Sequence, residues 1–72
     1  MLDKQVKTVV KLQKYLDLYY SYISNDMNEQ ARDTLIVGLD KYEELKTDAE
    51  AVGVLDDFEY IKNQMLEELE KD

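Results

Sequence analysis

Between residues 31 and 52 of this chain, an apolar or small residue recurs at every third or fourth position without a break. The intervening positions are mostly charged, which predicts an α-helix with one narrow apolar stripe and polar groups around the rest. Such a stripe packs against other helices and carries no reactive groups of its own. The stripe consists of Ala31, Leu35, Gly38, Tyr42, Leu45, Ala49 and Val52.

Residues that interrupt helices or form tight turns are rare. The sequence has no proline, and its only glycines are Gly38 and Gly53, so a β-sheet would have almost no turns to connect its strands. A length of 72 residues allows one domain. We predict a single all-α domain over residues 1–72, an up-down-up three-helix bundle or an open helical array, with helices at about 2–23, 27–52 and 56–70.

The two glycines have separate predicted roles. Gly38 lies on the stripe, where a glycine inside a helix costs about 1 kcal/mol relative to alanine. We therefore expect a bulky neighbour, such as a tyrosine of the first helix, to approach it closely, with a local kink as the alternative. Gly53 is predicted to end the second helix. Short polar side chains are predicted to cap the starts of the second and third helices: Ser24, Asn25 or Asp26, and Asp56 or Asp57.

The first helix has two apolar faces. One is broad, and the second is a narrower stripe of Tyr15, Leu18 and Tyr22 at helical spacing. Two apolar faces on one helix predict burial on two sides. The broad face consists of Leu2, Val6, Val9, Val10, Leu12, Leu16, Tyr19, Tyr20 and Ile23.

The predicted third helix is shorter than the other two. We expect it to stop before the tyrosine-rich end of the first helix, which leaves an apolar patch for a protein partner or a second copy. The alternative is that these side chains are simply core. A twofold-symmetric dimer that completes the small bundle is the expected oligomer. The predicted interface residues are Tyr15, Leu18, Tyr19, Tyr22 and Ile36.

The charge is unevenly distributed. Residues 1–24 hold four lysines and two aspartates, whereas residues 25–72 hold fifteen acidic and five basic residues, for a net charge of −8. An acidic chain repels phosphates and anionic lipids, so we expect no direct binding to nucleic acid and none to membranes. One alternative function follows from the charge: a DNA mimic that occupies the nucleic-acid-binding cleft of a partner. Its acidic face would be Asp33, Asp40, Glu43, Glu44, Asp48 and Glu50.

The sequence has few side chains that could act in catalysis or bind a metal ion. Cysteine and histidine are absent, so activated nucleophiles and the usual zinc, copper or iron ligands are missing. The segment from Ala49 to Val54 resembles the turn of a helix-turn-helix motif. The helix after it begins with Asp56, Asp57 and a further carboxylate at Glu59, which phosphates would repel. We expect that the protein is not an enzyme, that it binds no cofactor and no metal, and that it does not recognise DNA sequence.

The sequence therefore predicts a small acidic helical module that binds protein through apolar helix faces, as an adaptor, an inhibitor or a regulatory subunit. The DNA mimic and a structural or assembly protein are the alternatives. The absence of cysteine, of a signal-peptide pattern and of an apolar run of about 20 residues leads us to expect a cytoplasmic protein. Phages and mobile elements encode many small chains of this kind, so we expect one of them as the source.

Overall fold

The structure is a computed structural model that describes residues 3–71. In this part of the chain three α-helices pack against one another and there is no β-strand: α1 is Asp3–Ser24, α2 is Asn28–Ala51 and α3 is Leu55–Glu70. The predicted all-α class is therefore confirmed. The helix bounds lie within one residue of the predicted ones, apart from the predicted start at Leu2, which falls outside the described residues.

The three helices run up, down and up. Gln5, near the start of α1, donates a 2.9 Å hydrogen bond to the carbonyl oxygen of Val52, just beyond α2, so α2 runs back along α1. A three-residue connection then leads into α3, which runs back along α2 with Met65 against Gly38. The result is an elongated molecule of 36 × 20 × 16 Å, with one continuous core along its length.

The core is built from the apolar stripes of all three helices. The stripe of α2 is largely buried, as its spacing predicts, and Phe58, Ile61 and Met65 of α3 pack onto it together with one face of α1. Burying a side chain of this size stabilises the fold by about 1.5–3 kcal/mol. The buried apolar residues are Leu12, Leu16, Tyr19, Ala31, Leu35, Tyr42, Ala49, Val54, Phe58, Ile61 and Met65.

At Gly38, α1 and α3 both approach α2 closely. A Cβ atom added there would lie 2.9 Å from Cε of Met65 in α3 and 3.0 Å from Cβ of Tyr15 in α1. The predicted close approach of a first-helix tyrosine is thus confirmed, and Met65 adds a second close neighbour. The glycine is needed because its position lies between two packed helices at once.

Both connections between helices are built in the same way. After α2, the N–H of Val54 donates to the carbonyl oxygen of Ala49 at 2.8 Å, and the N–H of Gly53 donates to that of Glu50 at 3.2 Å. Gly53 has a φ of +78°, the left-handed conformation that glycine adopts at low cost. This pair of bonds is the Schellman motif, and it confirms Gly53 as the end of α2.

The connection after α1 repeats this motif with an aspartate in the left-handed position. The N–H of Met27 donates to the carbonyl oxygen of Tyr22 at 2.9 Å, and Asp26 has a φ of +58°. The next helix starts directly from Met27, as α3 does from Val54, and neither start has a side-chain cap. The predicted caps are therefore wrong: residues 24–26 complete the end of α1, and residues 56 and 57 already lie inside α3.

Candidate docking face between α1 and α2

The second stripe of α1 lines a groove between α1 and α2. This groove has a volume of about 300 Å³ and lies at the end of the molecule where the two helices connect. Leu18 and Val37 leave 45% and 47% of their surface exposed there, while Tyr15 and Tyr22 are half-buried. The lining is Tyr15, Leu18 and Tyr22 from α1 with Gln30, Asp33, Thr34 and Val37 from α2.

A second groove of about 350 Å³ lies between the same two helices at the opposite end of the molecule. Four of its seven lining residues are charged, and Lys4, Lys7 and Lys11 form no ion pair with any residue in the range 3–71. The full lining is Lys4, Lys7, Thr8 and Lys11 from α1 with Asp48, Ala51 and Val52 from α2.

The two grooves belong to one face of the helix pair. On α1, six of their seven residues follow the sequence 4, 8, 11, 15, 18, 22, an alternation of four and three that keeps them on one side of a helix, and the seventh, Lys7, lies one turn from both residues 4 and 11 on the same side. No residue of α3 in the described part of the chain lines either groove. We call the side chains that line the two grooves the α1–α2 face. It is apolar at the connected end and charged at the open end.

Charged side chains also border the apolar groove of the α1–α2 face. The ammonium group of Lys14 lies 5.2 Å from the ring centroid of Tyr15, a cation–π distance. Lys41 forms a 3.0 Å ion pair with Glu44, and the hydrogen bond to Glu44 raises the pKa of Lys41. The apolar groove therefore has a polar border, the usual arrangement of a protein interface.

The predicted interface residues fall into three environments. Tyr15, Leu18 and Tyr22 come together in the apolar groove. Ile36 is 52% exposed but does not line it. Tyr19 is only 6% exposed, so the expectation that it lacks cover is wrong. α3 starts level with the beginning of α1 and runs parallel to it, so its last turn reaches Tyr19.

A cluster of hydrogen bonds holds that last turn of α3 in place. The hydroxyl groups of Tyr19 and Tyr20 donate to the carboxylate of Glu68 at 3.1 and 3.5 Å, and Lys71 binds the same carboxylate at 3.1 Å. The hydrogen bond from Lys71, followed by that from Tyr19, lowers the pKa of Glu68. Burial, with the charge of Glu68, raises the pKa of Tyr20. The cluster connects α3 to α1 and so stabilises the fold.

A second cluster joins α2 to the first turns of α3. The Tyr42 hydroxyl donates a short hydrogen bond to Glu59, which also forms a 2.8 Å ion pair with Lys62. The ammonium group of Lys62 lies 5.0 Å from the ring centroid of Tyr42. The hydrogen bonds from Lys62 and Tyr42 lower the pKa of Glu59. A lowered pKa suits a structural ion pair and makes a carboxylate a weaker base.

The six carboxylates of the predicted acidic face are all exposed on α2. Two of them are paired with lysines one helical turn away: Glu44 with Lys41 at 3.0 Å and Glu43 with Lys46 at 3.9 Å. These pairs reduce the negative potential of the face that a DNA mimic would present. Within residues 3–71, no group of three or more acidic side chains is arranged to hold a metal ion.

None of the helices in the described part of the chain has an apolar stretch long enough to cross a bilayer. No protein-family model, curated protein or solved structure matches this chain.

The α2 side of the α1–α2 face was not predicted from the sequence. Gln30, Thr34 and Val37 recur at the same helical spacing as the second stripe of α1. Two of the three are polar, however, and hydrophobic periodicity does not register polar lining residues. The opposing charges of the open end, on Lys7 and Asp48 for example, are also invisible to a search for apolar stripes.

Proposed function

We propose that this chain is a non-catalytic protein-binding module that docks through the α1–α2 face, as a small adaptor, inhibitor or regulatory subunit. The proposal extends to action in the cytoplasm, in keeping with a sequence that has no cysteine.

One observation carries the proposal. Leu18 and Val37 each leave nearly half of their surface exposed, and both line a groove that Tyr15 and Tyr22 also line. Exposed apolar side chains are ordinary when scattered, but a concave cluster of them with a polar border is typical of an interface. Tyrosine favours binding because its ring supplies a large rigid contact and its hydroxyl group remains hydrated.

The test compares two glutamate substitutions on the same helix. Val6 is 43% exposed, close to the 45% of Leu18, but it lies outside both grooves and about 120° around the helix from Leu18. Tagged wild-type protein, Leu18→Glu and Val6→Glu are used to isolate proteins from the native host, and each captured protein is then purified and tested for direct binding.

The expected result is a direct partner that binds the wild type and Val6→Glu equally and loses on the order of a hundredfold in affinity for Leu18→Glu. Circular dichroism must give the same helix content for all three proteins. If every direct partner binds Leu18→Glu as well as it binds the wild type, the α1–α2 face is not the docking surface.

A further inference from the structure

We infer that the partner of the α1–α2 face is a second copy of this chain, related by a twofold axis that runs between the two molecules and parallel to the helices. This inference rests on the proposed function and names the partner for the same face. The dimer places α1 of each protomer on α2 of the other, so that the two helix pairs stack and form a four-helix bundle.

Charge complementarity selects this arrangement. The face carries lysines on the α1 side of its open end, whereas its acidic residues, Asp33 and Asp48, are all on the α2 side. A twofold axis parallel to the helices exchanges the two sides, so basic α1 meets acidic α2 in both contacts of the dimer. An axis perpendicular to the helices would instead place α2 on α2 and oppose carboxylates.

The same axis matches the apolar ends. Rotation about an axis parallel to the helices keeps every residue at its own level along the bundle. Leu18 then faces Val37 of the partner subunit, because the two residues share a level in the apolar groove. At the other end, Lys7, Lys11 and Asp48 line one groove, with Lys7 at about the level of Asp48 and Lys11 one helical turn nearer the apolar end. These lysines form no ion pair with any residue between 3 and 71. In the dimer Lys7 lies opposite Asp48 of the other protomer, and Lys11 lies within one helical turn of it.

The geometry of the four helices is compatible with this dimer, as it is with the perpendicular axis, so the charges and not the helix directions select between the two. α1 and α2 are antiparallel within a protomer, and the proposed axis makes α1 antiparallel to the partner's α2 as well. All four neighbouring pairs are therefore antiparallel, the standard arrangement of an up-down four-helix bundle. The pairing covers a long face to which α3 contributes no lining residue. Domains of this size commonly gain stability by forming oligomers.

Single-cysteine variants test the geometry, since the natural chain has no cysteine. Leu18→Cys and Val37→Cys are mixed in equal amounts, oxidised, and analysed by mass spectrometry, with Val6→Cys as the control outside the face. The proposed axis predicts the mixed Leu18→Cys/Val37→Cys disulfide in several-fold excess over both homodimers, and little product with Val6→Cys. Predominant Leu18→Cys homodimers would indicate the perpendicular axis and overturn the inference.

Sedimentation across concentrations tests the association itself. The wild type and Val6→Glu should form dimers, whereas Leu18→Glu should raise the dimer dissociation constant on the order of a hundredfold, because each dimer contains the change twice. Lys7→Glu should raise it about tenfold and reduce its dependence on salt. A wild type that remains monomeric at every concentration overturns the inference.

The failure of this inference is distinguishable from the failure of the proposed function. If the wild type is monomeric but a captured host protein binds it and not Leu18→Glu, the docking face is retained and its partner is a different protein. If Leu18→Glu changes neither the sedimentation nor the binding of any direct partner, both proposals are wrong.

Discussion

The hydroxyl group of Tyr19 donates a 3.1 Å hydrogen bond to Oε2 of Glu68, which joins residues 49 positions apart. Tyr19 lies near the end of α1 and Glu68 lies in the last turn of α3, so this bond links the two parallel helices at the end farthest from their start. It also explains why α3 remains helical to Glu70 although its last turns are rich in glutamate, a charge pattern that opposes the helix dipole.

Tyr19→Phe removes this bond and keeps the ring. We expect a loss of about 1 kcal/mol in the free energy of unfolding, because the hydroxyl group donates to a charged acceptor that retains its other donors. Urea denaturation measures the change. Tyr20→Phe is the matched control, since its hydroxyl group binds the same carboxylate at 3.5 Å from an exposed position. An equal loss in the free energy of unfolding for Tyr20→Phe and Tyr19→Phe would contradict the role assigned to the hydrogen bond between Tyr19 and Glu68.

Gly38→Ala tests the contact among the three helices. In an open helix this change stabilises by about 1 kcal/mol, but here the new Cβ meets Met65 at 2.9 Å and Tyr15 at 3.0 Å. Met65 can move its flexible end, whereas Cβ of Tyr15 is fixed to the backbone. Because overpacking costs about 1–3 kcal/mol, we expect a net loss of about 1 kcal/mol in urea denaturation. A gain in stability would show that α1 can move aside.

Met65→Ala in the same experiment separates the two contacts. If Met65 causes most of the crowding, Gly38→Ala should cost less in the Met65→Ala background than alone, with a coupling energy of about 0.5–3 kcal/mol. If Tyr15 is responsible, the two changes should be nearly additive. The structure favours partial coupling, because both neighbours lie within 3.0 Å of the added atom.

The sequence predicts the helices and the roles of both glycines because these features follow from local rules of residue spacing. The apolar spacing of the three segments predicts three helices, one glycine on the stripe of α2 predicts the close approach at Gly38, and the glycine after that stripe predicts the end of α2 at Gly53. The second stripe of α1 likewise predicted that Tyr15, Leu18 and Tyr22 lie together. Each of these features depends on side-chain spacing within one helix.

The features that the sequence did not predict depend on how helices are placed relative to one another. The last turn of α3 covers Tyr19, because α3 begins close to Gln5 at the start of α1. The conformation of residues 52–54, which connect α2 to α3, sets that starting position. The predicted caps are wrong because Asp26 adopts a left-handed conformation at the end of α1, so that α2 starts from Met27 instead. The rotation of α2 about its own axis decides whether Ile36 or Val37 lines the groove, and in the structure Val37 lines it.

The two connections give a matched pair of stability predictions. Asp26 and Gly53 occupy the same position of the same motif, with φ values of +58° and +78°. A left-handed conformation costs a residue with a side chain about 1 kcal/mol or more. Asp26→Gly should therefore stabilise by about 0.5–1 kcal/mol, and Gly53→Ala should destabilise by about 1 kcal/mol. Thermal unfolding measures both, and changes of the same sign would contradict the shared geometry.

The Glu59 carboxylate should make the stability of the fold depend on pH in the acidic range. The pKa of Glu59 is lowered from its ordinary value of 4.5 by the hydrogen bonds from Lys62 and Tyr42. A lowered pKa in the folded state means that Glu59 adds stability above pH 4.5 and loses it as the pH falls through the folded value. Glu59→Gln should therefore melt at a lower temperature than the wild type at pH 7, and the difference should shrink as the pH falls below 4.5 and the carboxylate becomes protonated in the folded state.

The comparison of two proteins at each pH is essential to this experiment. A chain with a net charge of −8 also loses self-repulsion as its carboxylates become protonated, which stabilises the fold and opposes the loss at Glu59. That general effect is nearly the same in Glu59→Gln and cancels in the difference. Glu67→Gln is the control on the same helix, because Glu67 is exposed and has no side-chain hydrogen bond or ion pair to any residue between 3 and 71. A pH-independent difference between the wild type and Glu59→Gln would mean that the Tyr42–Glu59–Lys62 cluster does not stabilise the folded state.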